Sequence, residues 1–475
     1  MKNRFKSQEI SELFYRSAFE QKAHINNTEN ILKWVKSENQ RIVVDVQKIP
    51  FRKLKKWNIN DISIFHNSRK FFSIEGLKVS AKINDKEYKC WSQPIINQPE
   101  VGFLGFITKS INGVLHFLTQ AKIEPGNVNN VQLSPTLQAT RSNFTKAHKG
   151  KSPNYLDFFL NAESKDILVD QLQSEQGSRF FKKRNRNIII YTDKEVELKK
   201  NFTWLTLAQL KYFMSFDNLV NMDTRTVLSG ISFSLPHRIY AVDNEYYSRL
   251  GNIFHRSFQY SDNCFYQMKN IHSKISNLKS KLSLSTQKIG INYLNKWEVT
   301  DNEIRHCDNQ YFKIIGVNVT ISNREVSNWS QPMVEPVNHG LSAFISKIIN
   351  GILHFAVQLK VECGLIDIIE LGPTIQTNRC ISSDNFAELP FSNFFLNNKH
   401  YNVLFDNLQS EEGGRFFNEQ NRNMIILIED EIDLESLDNY VWMTLHQLNS
   451  FIKFTNSVNI QARNLVAQTR FIDVE

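Results

Sequence analysis

Thr140-Arg141-Ser142-Asn143 packs one cation and three hydrogen-bonding side chains into four consecutive residues. They follow a run that reads as a strand, and strand ends carry sites where they open onto a cleft; an ordinary turn with an incidental arginine fits them equally. A second cluster, Lys182-Lys183-Arg184-Asn185-Arg186, follows the turn Gly177-Ser178-Arg179. Backbone N–H groups and guanidinium forks can converge on phosphate there, although a basic run by itself also describes a solvated face. His116 and His354 lie within apolar strands just after a turn, which favours a hydrogen-bonded core role over catalysis. Trp57 and Trp297 precede polar turns, and core packing competes with a base-stacking platform at both. His148-Lys149-Gly150-Lys151-Ser152 ends like a phosphate-binding P-loop, but Thr145 stands where the upstream glycine is required. The chain has no GxGxxG, HExxH, GxSxG or EF-hand loop.

The elements that position these residues occur twice. Trp91-Ser92-Gln93-Pro94 recurs as Trp329-Ser330-Gln331-Pro332, and the same offset carries Asn112-Gly113-Val114-Leu115-His116-Phe117 onto Asn350-Gly351-Ile352-Leu353-His354-Phe355. About 23 of roughly 51 positions match without a gap, which is the mark of a tandem duplication. Gln173-Ser174-Glu175-Gln176-Gly177-Ser178-Arg179-Phe180-Phe181 is answered by Gln409-Ser410-Glu411-Glu412-Gly413-Gly414-Arg415-Phe416-Phe417. Two modules, 1–238 and 239–475, are expected, each α+β with a mixed sheet flanked by helices. Residues 42–49, 71–83, 101–108, 114–123, 131–140 and 188–191 are rich in β-branched and aromatic side chains and predict strands. Asn112-Gly113 and Asn350-Gly351 predict hairpin turns, because both residue types tolerate positive φ. The apolar spacing over 155–176, stopped by Gly177, predicts a helix, and 206–216 a second. Polar helical arms at 8–36 and 244–281 are expected to pack on the sister module or on a second subunit.

Composition limits the partners. The chain has 475 residues, 41% of them hydrophobic and 22% charged, enough apolar material for a large core. Five cysteines without a CxxC pair fit neither a disulfide framework nor a thiolate zinc site, so a reducing cytoplasm is expected. No apolar run approaches the roughly 18 residues of a membrane span, and MKNRFKSQEI lacks the apolar core of a signal peptide. A formal net charge of +9 suits an anionic partner without specifying it; spread over this length, it argues against nucleic acid.

Taken together, the segments Gln120 through Asn127, Leu133 through Asn143 and Gln173 through Asn187, with Asn221-Met222-Asp223-Thr224-Arg225 and its sister Asn459-Ile460-Gln461-Ala462-Arg463, resemble the NDP-hexose 2,3-dehydratases of deoxysugar biosynthesis. The resemblance covers essentially the whole chain, duplication included. That family is similar in fold to the Nudix hydrolases. Residues 121–127 look like the opening of the Nudix signature, with Asn127 in place of its glutamate, and residues 170–177 look like its helical end. Gln171 and Ser174 stand where Nudix enzymes carry metal-binding glutamates, and Glu175 alone is a poor magnesium site.

The resemblance implies a dTDP-4-keto-6-deoxyglucose substrate, loss of water across C2 and C3, no cofactor and no metal. It also implies a downstream 3-ketoreductase and a homodimer. The 4-ketone acidifies the C3 proton for a base, Glu175 or Glu124; Lys122 or Tyr155 would act as acid or enolate stabiliser. Thr140, Arg141, Ser142, Asn143, Ser178, Arg179, Arg184 and Arg186 are the phosphate and sugar candidates, with Arg379 and Arg415 their counterparts in the sister repeat. Trp57 and Trp297 are candidates to stack on thymine, Trp297 reaching the first module's pocket from the sister module or another subunit. The first module is expected to be the working site, because Lys182, Lys183 and Arg184 become Asn418, Glu419 and Gln420 in the second. The rival readings are a magnesium-dependent Nudix-type hydrolase of sugar nucleotides and a non-catalytic nucleotide- or nucleic-acid-binding protein.

Overall fold

The computed structural model describes residues 4–472 except 23, 85, 141–151, 234–248, 323–325, 379–385 and 397–400. The expected boundary at 238/239 and the candidates Arg141, Ser142, Asn143 and Arg379 lie outside the described residues.

Each repeat builds a seven-stranded and a five-stranded sheet. In the first repeat the larger sheet runs Ile167–Ser174, Arg184–Tyr191, Gly102–Ile111, Val114–Ile123, Phe202–Thr206, with Val131–Ser134 and Leu137–Ala139 added at its centre. Arg184–Tyr191 pairs in parallel with Gly102–Ile111 while their other neighbours are antiparallel, so the sheet is mixed. Both faces of Val114–Ile123 are largely buried, which explains its near-continuous apolar run. The hairpin turns form as expected, with φ of 52° and 81° at Asn112 and Gly113 and of 51° and 75° at Asn350 and Gly351. Thr206 caps the helix Leu207–Phe213 in a capping box with Gln209, and Thr444 with Gln447 does the same for Leu445–Ile452.

The five-stranded sheets exchange strands. Val44–Ile49 of the first repeat pairs antiparallel with Phe312–Ile321 of the second, and Leu282–Ile289 of the second pairs with Ser73–Ile83 of the first. Each small sheet is therefore completed by the other repeat, and the two interlock.

Two expectations are corrected. Residues 155–176 are not a helix: only Leu156–Leu160 is helical, and Ile167–Ser174 is a strand. In the strand, Ile167, Val169 and Gln171 pair with Ile190, Ile189 and Asn187, so cross-strand pairing overrides a spacing that also fits a helix. The helical end of a Nudix signature, 170–177, is thus a strand running into a turn. The arms are also different. Each is two helices, Ser7–Ala18 with Thr28–Arg41 and Arg249–Phe258 with Met268–Lys281. Each arm packs first on its own repeat: Ser17 donates to Leu115 O at 2.6 Å and Ser257 to Leu353 O at 2.7 Å. The arms then meet at Tyr15 and His255, whose rings lie 5.8 Å apart. No helix among the described residues is long and apolar enough to cross a membrane.

The repeats touch most tightly at two glycines. Gly126 N–H donates to Gly413 O at 2.8 Å and Gly126 O accepts from Asn418 N–H at 2.9 Å; Gly364 makes the mirrored pair with Gly177 O and Lys182 N–H, both at 2.7 Å. A Cβ on Gly126 would fall 1.6 Å from Phe416 O, whereas one on Gly113 meets nothing within 4 Å. Gly126→Ala should therefore cost about 2–3 kcal/mol through forced separation of the repeats. Gly113→Ala should cost only about 1 kcal/mol, from its positive φ. Urea denaturation of both variants checks the contrast, and equal losses would show that the inter-repeat contact is soft.

Candidate active site

The duplicated Trp-Ser-Gln-Pro segment is a clamp between repeats. Trp57 Nε1 donates to Ser330 O at 2.8 Å and Trp297 Nε1 to Ser92 O at 2.9 Å, so each tryptophan is held by the other repeat's serine. The glutamine of each segment holds the turn that crosses over: Gln93 donates to Ser178 O at 2.8 Å and Gln331 to Gly414 O at 2.7 Å. These turns, at 176–181 and 412–417, each carry an arginine into the opposite repeat's site.

The first repeat's site gathers Lys122, Glu124, Glu175, Lys183 and Asp223 with Glu412 and Arg415 from the second. Glu124 follows the strand Val114–Ile123; its Oε1 accepts from Gln138 at 2.9 Å and lies 3.2 Å from Lys122 Nζ. Glu175 follows Ile167–Ser174, where Asn185 holds its Oε1, and its buried Oε2 has no hydrogen-bond partner among the described residues. Burial, above all, pushes the Glu175 carboxyl up to about 7 against the pull of Lys183 and Arg463. Asp223, on the helix Met222–Leu228 and 2% exposed, is raised well above the ordinary range by burial and then by Glu175, Glu412 and Glu124. Glu412 is pushed up to about 7, first by burial and next by Glu124. Lys183 is buried, donates to Glu100 O at 2.5 Å, and is lowered by burial. Arg415 stacks 4.2 Å above the Phe72 ring, which packs on Trp57 at 5.0 Å.

The second repeat's site keeps part of this set: Lys360, Glu362, Gln376, Glu411 and Asn421 match Lys122, Glu124, Gln138, Glu175 and Asn185. Glu419 replaces Lys183, Gln461 replaces Asp223, and the crossing turn brings Gln176 and Arg179 instead of Glu412 and Arg415. Burial, opposed by Arg179, pushes Glu419 up to about 7. Gln176 donates to Glu411 Oε2 at 2.7 Å and to Met222 Sδ at 3.1 Å. The cavity that Arg179, Glu411, Glu419 and Gln461 line is about 20 Å³, room for little more than one water.

Of the residues singled out by sequence, Lys122, Glu124 and Glu175 come together with Arg415. Ser178 and Arg179 go to the second site instead, because the turn that bears them crosses over. Trp297 packs on Phe312, 5.1 Å away, the ring that Arg179 covers, so it also belongs with the second site. Tyr155 is tied elsewhere: its hydroxyl donates to Glu197 O at 2.8 Å and accepts from Lys199 N–H at 2.9 Å. Arg186 spends its guanidinium on both oxygens of Asp170, at 2.7 and 2.6 Å, as Arg422 does on Asp406. Arg184 is half-buried opposite Ser174, and Thr140 is half-buried just beyond the strand Leu137–Ala139. His116 and His354 are core residues, with Nδ1 bonded to Val114 O and Ile352 O. Asp223, Lys183 and Glu412 were missed as acid-base groups. Their signal was a change of charge between the repeats inside the shared segments, which at Glu412 and Gln176 is flanked by identities on both sides.

The raised carboxyls make stability depend on pH. An unfolded glutamate ionises near 4.3, whereas native Glu175 holds its proton to about 7. Between these values the native state binds more protons, so this contribution is present below pH 4 and lost as pH rises through 7. Glu175→Gln removes it. Relative to the parent, the variant should gain on the order of 1–3 kcal/mol between pH 4.5 and 8. Urea titrations at the two pH values measure this, and a constant difference would show that Glu175 is ionised throughout.

The profile of the NDP-hexose 2,3-dehydratase family matches residues 28–231 and again 268–469. The chain is 40% identical over 432 residues to a dTDP-4-dehydro-6-deoxy-alpha-D-glucopyranose 2,3-dehydratase of Saccharopolyspora spinosa, covering 89% of this chain and 87% of the relative. A protein of the same name from Amycolatopsis orientalis is 38% identical over 451 residues, covering 93% and 89%. One from Streptomyces violaceoruber is 38% identical over 435 residues, covering 90% and 93%. With both repeats matched and the site built from the segments they share, the chain belongs to the NDP-hexose 2,3-dehydratase family.

Proposed function

We propose that this protein removes water across C2 and C3 of dTDP-4-keto-6-deoxy-D-glucose, giving a dTDP-3,4-diketo-2,6-dideoxyhexose. Similarity to dehydratases of that name over nine-tenths of the chain carries the reading. The site supplies the chemistry it needs. C3–H and O4 sit on neighbouring carbons, so a base and a cation must stand side by side. Glu124 and Lys122, 3.2 Å apart, are such a pair. Glu124 takes the C3 proton, and Lys122 stabilises the enolate oxygen at O4. Arg415 is the cation placed for the diphosphate, and half-buried Trp57, which packs at a tilt beside Phe72, is the candidate to stack on thymine.

The reaction changes no net oxidation state, so it calls for no nicotinamide. Its product carries adjacent ketones, and a 3-ketoreductase is the expected consumer. A reducing cytoplasm and a homodimer are part of the same reading. We infer a Nudix likeness from the mixed sheet and helices of each repeat. It does not extend to the hydrolytic helix: Ser174 donates to Glu370 at 2.6 Å, and Gln171 lies against Gly230.

Incubation with dTDP-4-keto-6-deoxyglucose and chelator, trapped with a ketoreductase and read by mass spectrometry, should show loss of one water. Glu124→Gln should lower the rate about 10²–10⁴-fold. Release of dTMP only on restoring magnesium would overturn the dehydratase in favour of a hydrolase.

A further inference from the structure

Elimination from C2 also needs an acid, because hydroxide is a poor leaving group. We propose that Glu412, carried into the first repeat's site by the second repeat, is the acid that protonates the departing C2 hydroxyl, with Asp223 as its proton-sharing neighbour. The proposal rests on the dehydratase reading above. Its first support is placement. Acid and base must act on adjacent carbons, and Glu124 and Glu412 sit on two turns locked together by Gly126 N–H to Gly413 O at 2.8 Å and Asn418 N–H to Gly126 O at 2.9 Å. The contact that interlocks the repeats thus also fixes the spacing of the two carboxyls.

The second support is bonding. Glu412 Oε1 accepts from Gly414 N–H at 2.9 Å, while its Oε2 is buried with no hydrogen-bond partner among the described residues. Asp223 Oδ1 is likewise buried and unpartnered. Buried carboxyl oxygens without donors favour the protonated form, and Glu124, Glu175 and Asp223 around Glu412 reinforce it. Lys122 and Arg415 oppose this without overcoming it.

The third is the internal control. The second repeat's site retains the base and cation as Glu362 and Lys360 but has Gln176 for Glu412 and Gln461 for Asp223. An amide cannot give up a proton as a carboxyl does, and Gln176 keeps the shape of Glu412. The groups that abstract are kept and the groups that donate are lost, which separates Glu412 and Asp223 from Glu124 by role.

The protons close. Glu124 takes H3, the electron pair moves to O4, and collapse of the enolate forms C2=C3 and expels O2 as water with the Glu412 proton. The O3 proton of the resulting enol returns to Glu412, and Glu124 delivers its proton to C2. Both carboxyls end as they began, and one water has left.

Glu412→Gln tests this with two substrates. On the natural substrate in D2O, loss of water should fall about 10²–10⁴-fold while exchange of the C3 hydrogen continues. On the 2-fluoro analogue, which loses fluoride without protonation, the variant should match the parent enzyme within a few fold. Asp223→Asn should follow the same split. Unchanged water loss in Glu412→Gln, or fluoride release and exchange falling together with it, would overturn the assignment. A parent protein that neither dehydrates nor exchanges would instead overturn the dehydratase reading.

Discussion

Two buried guanidinium groups fix the frame on which the site is built. Arg463, 1% exposed, donates to Ser174 O and Val458 O at 2.6 Å, to Thr226 Oγ1 at 2.9 Å and to Gln173 Oε1 at 3.2 Å. Arg225 reciprocates, donating to Ser410 O at 2.6 Å, to Val220 O at 3.1 Å and to Gln409. Each arginine sits on a short central helix of one repeat and terminates a strand of the other. Burial lowers both to about 10, so both keep their charge at neutral pH. A charge so buried is tolerated only when paired with acceptors; Arg225 Nε has no hydrogen-bond partner among the described residues, and the remaining donors of both arginines hold the strand ends in place. Glu175 and Glu411 are the next residues along those strands. Their positions follow from the clamp, and Arg463 also moderates the burial that raises Glu175.

The sequence carried the duplication, the Asn-Gly hairpins and most of the strands, because each is written in local residue types or in self-similarity. It did not carry the exchange of Val44–Ile49 and Leu282–Ile289: a strand's pattern specifies a buried face, not which repeat supplies the neighbour. The mistaken helix over 155–176 has a similar origin, since Leu168-Val169-Asp170-Gln171-Leu172 satisfies both periods in a short window and only pairing with Arg184–Tyr191 decides. Among site residues, Lys122, Glu124 and Glu175 were legible because they stand inside the shared motifs. Arg179 was legible as a functional type but assigned to the wrong repeat, because a turn's crossing depends on Gly364 accepting Lys182 N–H, a contact between residues far apart in the chain.

The asymmetry between the two sites follows from the same crossing. In the first, buried Lys183 stands beside Glu175; in the second, Glu419 takes the position of Lys183 and is opposed by Arg179 of the crossing turn, so the charge changes sign at one position while Glu175 and Glu411 keep theirs. Each arrangement leaves a buried acid facing a buried base, which is why the second site can lose Asp223 and Glu412 equivalents and still pack.

Interlocking also explains why a repeat with an altered site is retained. The first site takes Arg415 and Glu412 from the second repeat's turn, its small sheet takes Leu282–Ile289, and its clamp takes Arg463. Deleting the second repeat would leave an unpaired edge on Ser73–Ile83, the buried Gln173-Ser174 strand end without its donors, and a site with its crossing cation removed. Changes within the second site alone carry none of those penalties. On the proposal that the first site is the working one, selection on it preserves the scaffold of the second while leaving the acid-base groups there free to change, which is the pattern of differences that the two repeats display.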